Sequence, residues 1–188
     1  MSSPPEVEWP NEFPFLETSR LSLRPFQDTD LHPLFMCLSN PDTARYVVSP
    51  IEEPEILRGV LDEYIHGCRS GVSINWVLEE KAEGRYAGSI SLQDFMFYDG
   101  VAEVAFELDI GFAGRGLMTE AIDAVLRYGF GKMGLNRIEA RVAEGNLGSI
   151  KLLQRAGFTP EGRLREALFL NGSYMNIIVL GRLRTDPA

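Results

Sequence analysis

Val101-Ala102-Glu103-Val104-Ala105-Phe106-Glu107-Leu108-Asp109-Ile110, followed at once by Gly111-Phe112-Ala113-Gly114-Arg115-Gly116-Leu117-Met118-Thr119-Glu120-Ala121, is the stretch on which the fold turns. Apolar and acidic residues alternate through the first ten positions, the period-two pattern of a half-buried strand, and the pattern breaks at Gly111. Gly114 and Gly116 then let the backbone turn tightly and let a ligand approach its amides. From Thr119 the apolar residues Ile122, Val125, Leu126 and Phe130 recur at helical spacing. A helix N-terminus presents unpaired N–H groups and partial positive charge, so this strand, turn and helix suit a phosphate or pyrophosphate. On the turn alone, an anion site and a purely structural turn are both open. Neither the dinucleotide G-x-G-x-x-G fingerprint nor the Gly-Lys-Ser/Thr of a P-loop is present, and Arg115 is the one cation within the turn.

Working outward, 188 residues with 45% apolar content predict one domain with a sizeable core, spanning 13–184 between an N-terminal arm, 1–12, and a short tail, 185–188. The arm carries Pro4, Pro5 and Pro10 and no basic region, so it reads as mobile rather than as a targeting peptide. No apolar run reaches the length of a membrane span. A formal charge of −9 argues against nucleic acid or an anionic membrane as partner and favours a cationic or amine-bearing substrate. Cys37 and Cys68 match no metal or redox spacing and read as reduced, buried thiols of a cytoplasmic protein. His32 and His66 suggest neither a metal site nor a triad, since no G-x-S-x-G elbow accompanies them.

Leu21 to Arg24 predicts a strand ended by Pro25, with Asp28 as cap of a helix over Thr29 to Leu38. Asn40-Pro41-Asp42 reads as a turn, and a second helix runs from Pro54 to near Gly67. Antiparallel strands follow over Val72 to Glu80, with Ile74, Trp76 and Leu78 on one face, and over Tyr86 to Leu92. The aromatic cluster Phe95-Met96-Phe97-Tyr98 reads as core, and Asp99-Gly100 is a hairpin turn. Beyond the central helix come a strand over Arg137 to Val142, a short helix over Ile150 to Arg155 closed by Ala156-Gly157, and strands over about Arg163 to Leu170 and Tyr174 to Leu183, joined by a type I′ turn at Asn171-Gly172. The order is βααβββαβαββ.

That order, the turn Phe112 to Ala121, and Asn146-x-x-Ser149 ahead of Arg155-Ala156-Gly157-Phe158 resemble the GNAT superfamily of acetyl-CoA-dependent N-acetyltransferases. Leu16 to Pro25 and Glu161-Gly162-Arg163-Leu164-Arg165 resemble its ribosomal-protein N-terminal acetyltransferase branch, and the likeness spans nearly all of Phe15 to Leu183. It implies an α+β fold: a mixed, mostly antiparallel sheet of six to seven strands, splayed beside a bulge in the fourth strand, with about four helices on its two faces. It implies acetyl-CoA as co-substrate and no metal. Leu108, Asp109 and Ile110 would contact the pantetheine arm, and Ala113, Gly114, Arg115, Gly116, Leu117, Met118 and Thr119 the pyrophosphate. Gly111 and Ala113 stand where the family commonly has a Gln or Arg and a bulky residue.

For the chemistry, the resemblance implies Glu103 as general base through water, with Glu107, four residues along the same face, as runner-up. The bland alternative for Glu103 is a solvated strand acid. The family's thiol-protonating tyrosine aligns with Leu153, and Ser149 stands as its replacement, as in the ribosomal-protein branch; a helix N-cap is the rival role. Asn146 resembles the residue that holds the pantetheine arm, though Gly145-Asn146 is also a plain turn. Tyr174 packs rather than lines the cleft. The expected acceptor is a primary amine, foremost a protein or peptide N-terminus, recognised by the elements around Asn40 to Gly67 and the Asn171-Gly172 hairpin. A small-molecule acetyltransferase acting on an amino acid, polyamine or aminoglycoside and a non-catalytic CoA-binding module are the alternatives, and monomer and homodimer are both open.

Overall fold

The structure, a computed structural model, describes residues 6–47 and 51–187; residues 1–5 of the expected arm and 188 of the tail lie outside it. Eight strands form one sheet: β1 (Leu16–Glu17), β2 (Leu21–Pro25), β3 (Ile74–Glu80), β4 (Arg85–Met96), β5 (Val101–Leu108), β6 (Arg137–Ala143), β7 (Thr159–Leu170) and β8 (Ser173–Leu183). They lie in the order β1-β2-β3-β4-β5-β6-β8-β7, and β5 with β6 is the parallel pair of an otherwise antiparallel ladder. Helices α1 (Leu31–Ser39), α2 (Pro41–Ala44), α3 (Arg58–His66), α4 (Leu117–Gly131) and α5 (Leu147–Arg155) complete the mixed α/β fold. The sheet exceeds the expected six to seven strands because Leu16 pairs with Leu23, a two-residue strand too short to leave a periodic signal.

Alternation along the strands divides the core in two. Ile74, Trp76 and Leu78 share one fully buried face, as expected, and pack with Ile90, Leu92 and Val104 against Ile122, Val125 and Leu126 of α4. Val77 points the other way, onto Phe26 and onto Leu34, Leu38 and Leu61 of α1 and α3. Cys37 and Cys68 are free and buried, as expected.

Several local expectations change. The α1 entry is organised by Asp30 rather than Asp28. Asp30 is 3% exposed, is held by both Nη atoms of Arg24 at 2.8 and 2.9 Å, and accepts from the Gln27 N–H at 2.8 Å. Asp28 is exposed on the surface. Asn40 is not a plain turn residue: its side chain accepts from the Asp42 N–H at 2.9 Å and caps α2, with Pro41 in the first turn. The N-terminal segment is docked from Val7 onward, because its apolar residues find partners. Trp9 donates to the Cys68 carbonyl at 2.9 Å and meets the rings of Phe95 and Phe97 edge-on, at 5.0 and 5.8 Å. The expected aromatic core at Phe95 to Tyr98 is therefore a partial one. Phe95 is half-buried under Trp9, while Tyr98 is 79% exposed. The Asp99-Gly100 turn lies in the β4–β5 connection, and Asn171 and Gly172 take φ of 51° and 76°, as a type I′ turn requires.

What positions the site is an opening in the sheet. β5 pairs with β6 only through Val101 to Glu103, against Arg137 to Glu139. Beyond Glu139, β6 stays with β8, Ala140 opposite Leu180 and Ala143 opposite Ile177, and the edge of β5 from Val104 to Leu108 has no strand beside it. The expected splay is thus present. The expected bulge is not in β5: the register shift falls in β4, between Gln93 and Met96 opposite the start of β5, where Asp94 takes φ of +50°.

Candidate active site

Two clefts open from the parted strands. The first, of about 750 Å³, lies between the free edge of β5, the turn after it and α5. β5 ends at Leu108 rather than running to Ile110. The Asp109 N–H bonds to the Ala87 carbonyl at 2.8 Å and its carboxylate accepts from the Gly111 N–H at 2.7 Å, which pins the chain as it leaves the sheet. α4 begins at Leu117, two residues before the periodicity suggests, because Gly116 takes φ of +74° as its N-cap and starts the helix there.

Leu108, Ile110, Ala113, Gly114, Gly116, Leu117, Met118 and Thr119 line this cleft, with Asn146 and Ser149 on the opposite wall. Asp109 and Arg115 do not. Asp109 is spent on the turn, and the Arg115 guanidinium lies over the Phe112 ring, 5.2 Å from its centre. The N–H groups of Gly114 to Thr119 have no acceptor among the described residues, and all of these residues but Arg115 line the cleft at the α4 N-terminus. Those donors fit the pyrophosphate of acetyl-CoA, and the free edge of β5 fits an amide-bearing arm.

A brace from outside the motif holds this turn. Arg20 donates from Nη1 to the Arg115 carbonyl at 2.8 Å and from Nε to Glu120 Oε2 at 2.8 Å. Glu120 also accepts from the Arg20 N–H and the Ser19 hydroxyl. Against the upward push of burial, hydrogen bonds from Thr18, Arg20 and Ser19 hold the Glu120 carboxyl down at about 2.

The second cleft, of about 700 Å³, holds Glu103 near the point where β5 and β6 part, with Gln93 and Asp94 of β4 and Glu139 and Arg141 of β6. Glu103 is half-buried. Burial first, then the charges of Asp94 and Glu139, raise its carboxyl to about 7, against an opposing pull from Arg141. Glu107 is in a different position. It accepts from the Ser89 hydroxyl and from Tyr86 at 3.4 Å, and burial raises it despite both bonds.

The clefts meet. Tyr46, Val47, Phe106, Asn146 and Ser149 line both. Asn146, not Ser149, caps α5: its side-chain oxygen accepts from the Ser149 N–H at 3.2 Å. No hydrogen bond occupies the Ser149 hydroxyl among the described residues. Leu153 is fully buried and remote in role, and Tyr174 stacks edge-on with Phe169 at the exposed hairpin without lining either cleft. Tyr46 was missed by the sequence reading; its ring lies so close to Gly145 that a β-carbon there would stand 3.2 Å from the Tyr46 oxygen. Asn171 at the hairpin tip reaches the Arg45 carbonyl at 3.5 Å beside it, while 48–50 lie outside the described residues.

The acetyltransferase (GNAT) domain model matches residues 20–159. Among curated relatives, the uncharacterised N-acetyltransferase YoaA of Bacillus subtilis is 32% identical over 162 residues, 86% of this chain and 92% of that protein. YdaF of Bacillus subtilis, a candidate ribosomal N-acetyltransferase, is 30% identical over 104 residues, 55% of this chain and 57% of that protein. Among solved structures, spermidine N-acetyltransferase from Vibrio cholerae, in complex with CoA and spermine, superposes with a TM-score of 0.79 at 25% identity, covering 90% of this chain and 98% of that one.

Proposed function

This chain belongs to the GNAT family of acetyl-CoA-dependent N-acetyltransferases, and we propose that it acetylates the α-amino group of a peptide or protein N-terminus. The observation that carries the reading is the junction: a donor-lined cleft and an acidic cleft meet at Ser149, with Glu103, raised to about 7, in the acidic one.

Bound in the first cleft, acetyl-CoA supplies the acetyl group as a thioester. Gly114 to Thr119 hold its pyrophosphate through backbone N–H groups, and Asn146 offers its side-chain amide toward the pantetheine arm while its oxygen caps α5. Glu103 accepts a proton from the acceptor ammonium through water, which frees the lone pair for attack on the carbonyl carbon. As the C–N bond forms the C–S bond breaks; the nitrogen gives up its surplus proton to Ser149 as the Ser149 hydroxyl proton goes to the departing sulfur, which leaves the amide, the thiol of CoA and an unchanged serine.

Basicity separates the candidate acceptors. An α-amino group has a pKa of about 7.7–8.0, within roughly a unit of Glu103, whereas lysine at about 10.4 would make the same transfer uphill by more than 3 units, or ~4.6 kcal/mol. The name of YdaF points the same way. The relation to spermidine acetyltransferases, one of which is 28% identical over 159 residues, supports a polyamine acceptor as the second reading.

The test is acetyl-CoA turnover with two peptides of equal charge, one with a free N-terminus and no lysine, the other N-acetylated with one lysine. Acetylation confined to the lysine peptide or to polyamines removes the N-terminal assignment.

A further inference from the structure

Attack on a thioester places negative charge on its carbonyl oxygen, and a fixed donor aimed at that atom speeds the reaction. An acetyl group delivered from the first cleft to an amine in the second has to sit where the two meet. Of the residues that line both clefts, Val47 and Phe106 have no side-chain donor. Asn146 faces the pantetheine arm and Ser149 the sulfur. Tyr46 is the side-chain donor that remains, and no hydrogen bond occupies its hydroxyl among the described residues.

The ring is built into this position. Gly145 does not take a positive φ, so its backbone does not call for glycine; the neighbouring ring does. A β-carbon there would stand 3.2 Å from both Cε1 and Oη of Tyr46 and 3.5 Å from Cζ, so the ring would have to give way. Gly145 immediately precedes Asn146, the cap of α5, and the contact therefore sets the Tyr46 hydroxyl beside the helix start that carries Ser149. On its own segment the Arg45 guanidinium lies 5.3 Å from the ring centre, and the Arg45 carbonyl is reached by Asn171 at the tip of the β7–β8 hairpin. One turn earlier in the chain, Thr43 lines the first cleft, and its Oγ1 is sealed from water with no partner among the described residues, an uncommon state for a polar atom in a folded chain. This wall thus carries two hydroxyls that the protein itself leaves unmatched.

We propose that Tyr46 is a catalytic residue, its hydroxyl donating to the thioester carbonyl oxygen and holding the charge that this oxygen gains as the amine attacks. The inference rests on the acetyltransferase reading and is independent of which amine is taken. No proton leaves Tyr46 in the step. The O–H bond stays intact, the oxygen's charge returns to the C=O bond as the C–S bond breaks, and the protons move through Glu103 and Ser149 as above.

Tyr46→Phe keeps the ring on Gly145 and removes only the donor, so a residue that merely packs would not feel it. Single-turnover acetyl transfer is expected to slow about a hundredfold, with acetyl-CoA affinity by calorimetry and Tm nearly unchanged. An unchanged rate overturns the proposal, and so does slow transfer explained by an equal loss of affinity for acetyl-CoA and for CoA, which lacks the thioester. Gly145→Ala, which pushes the ring from its seat, is expected to slow the native protein about tenfold and the Tyr46→Phe protein hardly at all; equal slowing in both overturns the placement of the hydroxyl. If no peptide or polyamine is acetylated, the reading of the acceptor fails, and infrared spectra of carbonyl-labelled acetyl-CoA on the protein test Tyr46 by themselves. A thioester stretch at lower frequency in the native complex than in Tyr46→Phe upholds the hydrogen bond, and identical stretches overturn it.

Discussion

Replacing Glu103 by glutamine should move activity and stability in opposite directions. The folded protein holds this carboxyl at about 7 against an ordinary 4.5, so the folded state favours the protonated form. The sign follows. Below about pH 4.5 the group is protonated folded or unfolded and costs nothing; as pH rises toward 7 the unfolded chain ionises first, and above 7 the whole penalty is present. The shift would be worth about 3 kcal/mol if the site were dry, but Glu103 is only half-buried, and screening reduces this to ~1–2 kcal/mol. Glutamine keeps the shape without the charge. Glu103→Gln should therefore melt higher than the native protein at pH 8 and level with it at pH 4.5. It should also lose about a hundredfold in kcat/KM, and with it the rise in rate between pH 6 and 8, over which the native carboxylate goes from about a tenth to about nine-tenths ionised. Scanning calorimetry at the two pH values and a pH–rate profile read both effects. An unchanged profile with full activity from pH 6 to 9 would refute the base assignment, and equal melting at pH 8 would refute the electrostatic account of the site.

Ser149→Ala should lower kcat about a hundredfold with acetyl-CoA affinity and melting nearly unchanged, because the α5 cap belongs to Asn146. Asn146→Ala, by contrast, should cost about 1 kcal/mol of stability, read by urea titration. Arg20→Ala removes the bond to the Arg115 carbonyl and uncovers Glu120, so acetyl-CoA should bind about tenfold more weakly by calorimetry while the fold persists. Undiminished binding would leave the brace without a function in the site.

What could be read in the sequence is what is decided locally. Period-two alternation in β5, Gly-x-Gly and the helical spacing of Ile122 and Val125 each arise within a few residues, so strand, turn and helix fall where the residues place them. Helical spacing marks α4 only from Ile122 onward, which suggests a start at Thr119, whereas a left-handed Gly116 caps the helix so that it begins at Leu117. Sequence points to Asp28 as the cap, but Asp30 suits the role equally, and the fork of Arg24, six residues back, selects it. The acceptor side was hardest to see. Gln93 and Asp94 sit in an irregular stretch of β4 and Tyr46 follows a four-residue helix, so no periodicity announces them; their importance comes from strands that meet only in three dimensions. Arg20 could have been suspected from its place beside the strand Leu21–Pro25, but its partner Arg115 is 95 residues away.

The parted strands also carry a thermodynamic consequence. An unpaired strand edge and a run of free N–H groups are stable while water satisfies them, and they become a ligand site when an acceptor replaces that water. Acetyl-CoA at about a hundred times its dissociation constant should therefore stabilise the fold by roughly 2.7 kcal/mol, which for a domain of this size is a rise in Tm of about 5–11 °C. The gain should be local in origin. Amide exchange at Gly114 to Thr119 should slow on binding, while the β7–β8 ladder, already paired, keeps its rates. Gly116→Asp sets a carboxylate in the anion site and forces an L side chain onto φ of +74°, so the variant should fold less stably and show neither the Tm rise nor the protection. A folded Gly116→Asp protein that still gained several degrees with acetyl-CoA, or native protection falling on β7 and β8 rather than on the turn, would mean that the pyrophosphate sits elsewhere, and the assignment of the first cleft would have to be abandoned.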